Sequence, residues 1–154
     1  MVKKHKVNNN IPYYSNKCSI LSKLINCIMW DGKKHMAMLV LKKSLDYINY
    51  RLHINPLKVL YEAIDNVTPY IEIRNMGVGD VSYQLLIDIP SDRRLELALK
   101  WMVDAAKQRR EVTLWLRLAW EIIDTVLRKT SSCKRRETMY NMAKNNQTFT
   151  HMGW

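Results

Sequence analysis

The chain reads as a mainly α-helical single domain: six helices and one protruding β-hairpin between the third and fourth. Three observations predict this. Apolar residues recur at helical spacing along most of the chain, and the period switches to two in one region only, near residues 70–89. No linker or internal repeat divides the 154 residues, of which 47% are hydrophobic, enough to bury one core.

Ile20, Leu21, Leu24, Ile25, Ile28 and Met29 share one side of a first helix, which the turn residues Asp31-Gly32 stop. A second helix runs from about Lys34 to Leu52, with Met38, Leu41, Leu45, Ile48 and Leu52 as its stripe. Asn55-Pro56 supplies an N-cap and then a proline at the first helical position, where a missing N–H is harmless. The third helix is expected to turn Leu57, Leu60, Tyr61 and Ile64 inward and to end before Pro69. Ile71 and Ile73 then alternate with Glu72 and Arg74. Beyond Gly77-Val-Gly79-Asp80, positions Val81, Tyr83, Leu85, Ile87 and Ile89 alternate again, as in two strands joined by a glycine-containing turn. Ser91 is the expected cap of a fourth helix with the stripe Leu95, Ala98, Leu99, Met102, Val103 and Ala106. A fifth helix carries Leu114, Trp115, Leu118, Ile122 and Val126. A sixth, from about Ser132 to Lys144, has the thinner face Met139, Met142 and Ala143, and an irregular tail runs to Trp154. Residues 1–16 form a basic N-terminal extension and 17–154 the helical domain.

Charge constrains the partner. Lys and Arg number 25 against 14 Asp and Glu, for a net charge of +11. Residues 1–34 carry seven basic side chains and one acidic one, whereas the hairpin, 69–90, carries one basic and three acidic. Cations cluster as Lys3-Lys4 (with Lys6 close by), Lys33-Lys34, Lys42-Lys43, Arg93-Arg94, Arg109-Arg110 (after Lys107), Arg128-Lys129 and Lys134-Arg135-Arg136. Many sit at expected helix ends or loops, where long side chains reach phosphates without disturbing a core. A single doublet is as well explained by a solvated face; the set points to a polyanion. The apolar run Met36–Leu41 is far too short to span a bilayer. The N-terminus has neither the apolar stretch of a secretory signal nor the look of a transit peptide, so synthesis in the working compartment is expected.

Chemistry finds no foothold. His5, His35, His53 and His151 are scattered, and no H-x-x-x-H or C-x-x-C spacing suggests a metal. There is no P-loop and no nucleophile elbow, and Gly77-Val-Gly79 lacks the helix that a dinucleotide site needs. Neither catalytic residue nor cofactor is expected. Cys18, Cys27 and Cys133 suit a reducing interior, as small hydrophobes. Trp101, Trp115 and Trp120 fall within helical patterns and read as core; Trp30 and Trp154 are open to RNA or a partner.

Strings in order then become specific. Asn26-Cys-Ile-Met-Trp-Asp-Gly-Lys-Lys34, Ala63-Ile-Asp-Asn-Val-Thr-Pro69, Val78-Gly79 with Tyr83-Gln84, and Arg93-Arg94 with Ala98-Leu-Lys-Trp101 resemble motifs of the small-subunit ribosomal protein seven family. Ala105-Ala106 with Arg109, Leu116-Arg-Leu-Ala119, Lys134-Arg-Arg-Glu137, Met142-Ala143 with Asn145, and Phe149-Thr-His151 continue the match from about Lys17 to Trp154. The resemblance implies a helical fold with a protruding hairpin. It also implies binding to the 3′ major domain of small-subunit rRNA, organisation of the head of the subunit, and a place near messenger and exit-site tRNA. Neighbouring ribosomal proteins of the head and platform are the implied protein partners. The implied RNA contacts are Lys3, Lys4, Lys6, Lys33, Lys34, Arg93, Arg94, Lys107, Arg109, Arg110, Lys134, Arg135 and Arg136, with Arg74, Gly77 and Gly79 at the hairpin tip.

One departure bears on function. The family pattern K-x-R-R-V-G-G stands here as Arg74-Asn-Met-Gly-Val-Gly-Asp80, so two arginines give way to Met76 and Gly77. With each charged hydrogen bond contributing about 1.5–3 kcal/mol, a weaker hairpin–tRNA contact is expected, with protein or solvent in its place. That erosion, with few glycines and many Asn, Lys, Ile and Tyr, favours an organelle-encoded protein of the mitochondrial matrix over a plastid or bacterial cytoplasmic one. The residues by themselves leave open a non-ribosomal RNA-binding module with a borrowed fold.

Overall fold

The structure is a computed structural model that describes residues 19–78 and 81–145. The N-terminal extension with Lys3, Lys4 and Lys6, the Gly79 position and the C-terminal tail lie outside the described residues. The element order is α1 (Ser19–Ile28), α2 (Lys34–Leu52), α3 (Pro56–Val67), β1 (Ile71–Val78), β2 (Val81–Asp88), α4 (Ser91–Gln108), α5 (Leu114–Val126) and α6 (Ser131–Asn145), as the apolar periods predict.

Helix α5 is the axis of the bundle: α2, α3 and α4 pack around it, α1 lies on α2 and α4, and α6 bridges α3, α4 and the first strand. The core is continuous, with Leu24, Leu41, Ile48, Leu60, Leu99, Met102, Leu118 and Ile122 fully buried. Each of these sits on a stripe read from spacing alone, because i, i+3, i+4 and i+7 positions share one helix face.

The punctuation is local chemistry. Asp31 and Gly32 take left-handed φ values of 51° and 72°, which an Asp tolerates and a Gly adopts freely, and they reverse the chain into α2. At α3, Asn55 Oδ1 accepts the Leu57 N–H at 3.0 Å and Pro56 occupies the first turn, as expected. His53, at φ 54°, ends α2 by donating its N–H to the Asn49 carbonyl.

In the helices three expectations need correction. Ser91 does not cap α4: Pro90 holds the cap position in extended backbone, no side chain bonds the first turn, and Ser91 is already helical. Tyr61 faces outward. The buried face of α3 is Pro56, Val59, Leu60, Ala63, Ile64 and Val67, a run one residue out of phase with Tyr61. On α6, Met142 is 52% exposed, and Cys133 and Ala143 enter the interior instead.

The hairpin is antiparallel in continuous register from Ile71 opposite Asp88 to Val78 opposite Val81. Gly77 therefore belongs to β1, opposite Ser82, and a Cβ there would meet no atom within 4 Å. Arg74 is mid-strand, opposite Leu85, not at the tip. The base of the hairpin is closed by the Ile89 N–H on the Tyr70 carbonyl at 3.0 Å and by burial of Ile89.

The two helix starts predict different costs. Asn55→Ala should destabilise the domain by about 0.5–2 kcal/mol. Ser91→Ala should change it by less than about 0.5 kcal/mol, since no cap bond is lost. Thermal melting, at roughly 2–4 °C per kcal/mol for a chain of this size, separates the two.

Candidate nucleic-acid interface

The expected phosphate-binding cations divide into two groups once the chain folds. Lys33, Lys34, Lys107, Arg110, Lys134 and Arg135 are exposed and have no ion-pair partner among the described residues. Lys33 and Lys34 stand at the α1–α2 turn, Lys107 and Arg110 at the C-terminal end of α4, and Lys134 and Arg135 in the first turns of α6. Arg93, Arg94, Arg109 and Arg136 are instead engaged by the protein itself.

Arg93 holds the hairpin to α4. Its Nε and Nη2 donate to Glu72 Oε2 and Oε1 at 3.1 and 2.8 Å, a two-pronged contact that a guanidinium suits. The hydrogen bond from Arg93 holds the Glu72 carboxyl below the usual glutamate range, with Arg74, 3.6 Å away, adding to the effect. The three acids of the hairpin are thus not all free to repel RNA. Arg94 lies with its guanidinium 5.0 Å from the centre of the Tyr70 ring and donates Nε to the Ile89 carbonyl. Arg136 reaches the Asp65 carbonyl at 3.4 Å.

Arg109 is the centre of an internal network that residue spacing did not reveal. Its Nη1 donates to Glu121 Oε2 at 3.0 Å, its Nη2 to Asp124 Oδ2, and its Nε to Glu111 Oε1 at 3.3 Å. Glu121, 1% exposed on α5, also accepts from Ser132 Oγ at 2.9 Å, and Ser132 meets Thr130 at 2.8 Å. The end of α4 is tied in this way to the middle of α5 and the start of α6. Burial pushes the Glu121 carboxyl up, against the Ser132 hydrogen bond and the Arg109 charge, which pull it down. One cation among three carboxylates leaves this cluster acidic. Arg109 therefore acts first as a strut, and the exposed Lys107 and Arg110 beside it are the cations turned to solvent. The only sequence signal for this network was an acid, Glu121, on the apolar side of α5 between Leu118 and Ile122.

Between the hairpin base, α4 and α6 runs a groove of about 460 Å³, with Ile73, Trp101 and Met139 on its walls and Lys134 and Arg135 among its lining residues. Trp101 is half-buried here. Trp115 and Trp120 lie beside Tyr47, at 5.9 and 6.2 Å between ring centres. Trp101 and Trp120 pack against the core from its edge, and none of the three reaches the full burial that their spacing suggested. Trp30 is 71% exposed. Among the described residues no group of three His, Cys, Asp or Glu side chains could hold a metal ion, and no helix is long and apolar enough to cross a membrane.

Comparison with known proteins adds the family context. A family model described as ribosomal protein S7p/S5e matches residues 1–147. The small ribosomal subunit protein uS7 of Paramagnetospirillum magneticum is 38% identical over 135 residues, which cover 88% of this chain and 86% of that protein. The uS7 proteins of Bartonella quintana and Paracoccus denitrificans are similar at 37% and 38% identity, with the same coverage.

Arg109→Met should destabilise the fold by about 3–5 kcal/mol at neutral pH, because it leaves Glu121 buried without its cation. The loss should shrink as pH falls and Glu121 takes up a proton, which melting curves across pH would follow. In the intact protein the two glutamates have opposite signs. The contribution of Glu121 is full below the ordinary glutamate range and fades as pH rises through its raised value. That of Glu72 is full above the ordinary range and is lost as pH falls through its lowered value, so the gap in melting temperature between wild type and Glu72→Gln should close in acid.

Proposed function

The chain belongs to the ribosomal protein S7p/S5e family, and we propose on that premise that it binds small-subunit rRNA as a structural constituent of the small ribosomal subunit. The role is structural, not enzymatic. The observation that carries the reading is the family match over residues 1–147 together with relatives above 35% identity across most of the chain. Lys33, Lys34, Lys107, Arg110, Lys134 and Arg135, exposed and without an ion pair among the described residues, supply a mechanism that agrees with it. They neutralise phosphates and release counterions, while the core keeps their spacing fixed so that RNA helices are held in register.

In this reading the 3′ major domain of the rRNA meets Lys33, Lys34, Lys107, Arg110, Lys134 and Arg135, joined by Lys3, Lys4 and Lys6 of the extension. Arg93, Arg94, Arg109 and Arg136 act mainly by holding the surface in shape. The protein organises the head of the subunit and touches neighbouring proteins of the head and platform. Its hairpin lies near messenger and exit-site tRNA but grips them weakly, since the run from Arg74 to Asp80 has a single arginine. Low glycine and abundant Asn, Lys, Ile and Tyr support a mitochondrial setting. The compared relatives are bacterial, which makes the bacterial cytoplasm the alternative.

Two measurements check this. In gradient sedimentation of lysate or isolated mitochondria, the protein should travel with the small subunit; a wholly free pool would sink the ribosomal assignment and favour a separate RNA-binding module. The double reversals Lys33→Glu/Lys34→Glu and Lys134→Glu/Arg135→Glu should each weaken binding to the rRNA fragment at least tenfold at moderate salt. They should also lower the slope of log affinity against log salt by roughly 0.7–0.9 per lost contact. Unchanged slopes would place the RNA on another face.

A further inference from the structure

We propose that the indole of Trp30 is a stacking platform for an unpaired base of the bound RNA, with Lys33 and Lys34 taking the phosphates beside it. The inference rests on the rRNA-binding reading above and deepens it by naming how one part of the surface recognises its ligand.

Trp30 stands apart from the other described tryptophans. Trp101, Trp115 and Trp120 are half-buried, and Trp120 also lies beneath the Arg51 guanidinium at 5.9 Å. Trp30 is 71% exposed, and no ring or cation among the described residues covers it. Exposure alone is ordinary for a surface aromatic, but an indole with an open face offers a π-surface on which a base can stack, and the cations beside it point to that use. The backbone fixes where it stands. Just past the end of α1, the Trp30 carbonyl accepts the Lys33 N–H at 2.9 Å, and the Lys34 N–H bonds the Gly32 carbonyl at 2.8 Å. With Asp31 and Gly32 both at positive φ, this turn keeps the indole and two unpaired lysines within five residues of each other.

The neighbours choose the occupant. Lysine is depleted at the centre of protein–protein interfaces, whereas an exposed aromatic ring flanked by cations is the arrangement that single-stranded nucleic acid uses. A-form helices hide the faces of their bases, so the base that stacks here comes from a loop, bulge or junction. Asp31 is the one acid in the segment 29–36, which leaves that segment cationic.

The test uses the full chain and an RNA fragment of the 3′ major domain, with affinities measured over a range of salt. Trp30→Ala should weaken binding about 5- to 150-fold, the span that corresponds to about 1–3 kcal/mol of stacking, and leave the salt slope unchanged. Trp30→Phe should keep most of the affinity, and Lys33→Ala/Lys34→Ala should flatten the slope. Melting temperatures of the Trp30 variants equal to wild type would show that the effect is on contact and not on folding. If Trp30→Ala binds as wild type while the lysine variant is weakened, stacking is wrong and the rRNA-binding reading stands. If Trp30→Ala binds RNA normally but is lost from small subunits in gradients, a protein covers the indole and stacking is again wrong. If the wild type does not bind the fragment at all, the underlying reading fails and stacking fails with it.

Discussion

Glu121 sits on the inward side of α5, 1% exposed, where a carboxylate is costly unless its charge is met and its oxygens are bonded. Arg109 and Ser132 meet it from the end of α4 and the start of α6. Those two segments are therefore tied to one point on the central helix, alongside the packing of Cys133 and Ala143 and the Tyr140 contact that also hold α6. Buried ion pairs of this sort add little net stability compared with apolar packing, but they penalise every arrangement that leaves the charge unmet. The network thus ties α4, which carries Lys107 and is followed by Arg110, to α6, which carries Lys134 and Arg135, through α5.

A basic protein has to reconcile many like charges with a compact fold. This chain does so by division of labour. Its internally engaged arginines meet carboxylates and backbone carbonyls or lie over a ring, using the planar fork that lysine lacks. Among the described residues most of the outward cations are lysines on flexible stems, many at turns and helix ends, open to solvent. Net charge consequently overstates the number of groups that can meet RNA directly. It also understates the acid in the hairpin that has already been neutralised, since Glu72 is held by Arg93.

Helix boundaries and most core stripes were legible in the residues because they depend on local spacing. Leu24, Leu41, Leu60, Leu99 and Leu118 each sit on the helically spaced apolar stripe of their own helix, and Asn55-Pro56 and Asp31-Gly32 are short-range stops and starts. The failures were local choices settled by a neighbour or by phase. Pro90 took the cap position expected of Ser91, and the phase of α3 turned Tyr61 outward. Gly77 looked like a turn residue because glycine often is one, yet pairing with Ser82 extends the strand through it.

The candidate site was legible as a set of cations and illegible as a surface. By itself the sequence determined a basic, helical, single-core chain with one hairpin, and its ordered motifs determined the family. Only the tertiary structure decided which cations are struts and which are free, because their carboxylate partners are distant in the chain: Glu72 lies 21 residues from Arg93, and Glu121 lies 12 from Arg109. The same holds for Trp30, whose exposure depends on what the rest of the fold leaves uncovered. Spacing records which residues share a helix face; it does not record which faces meet.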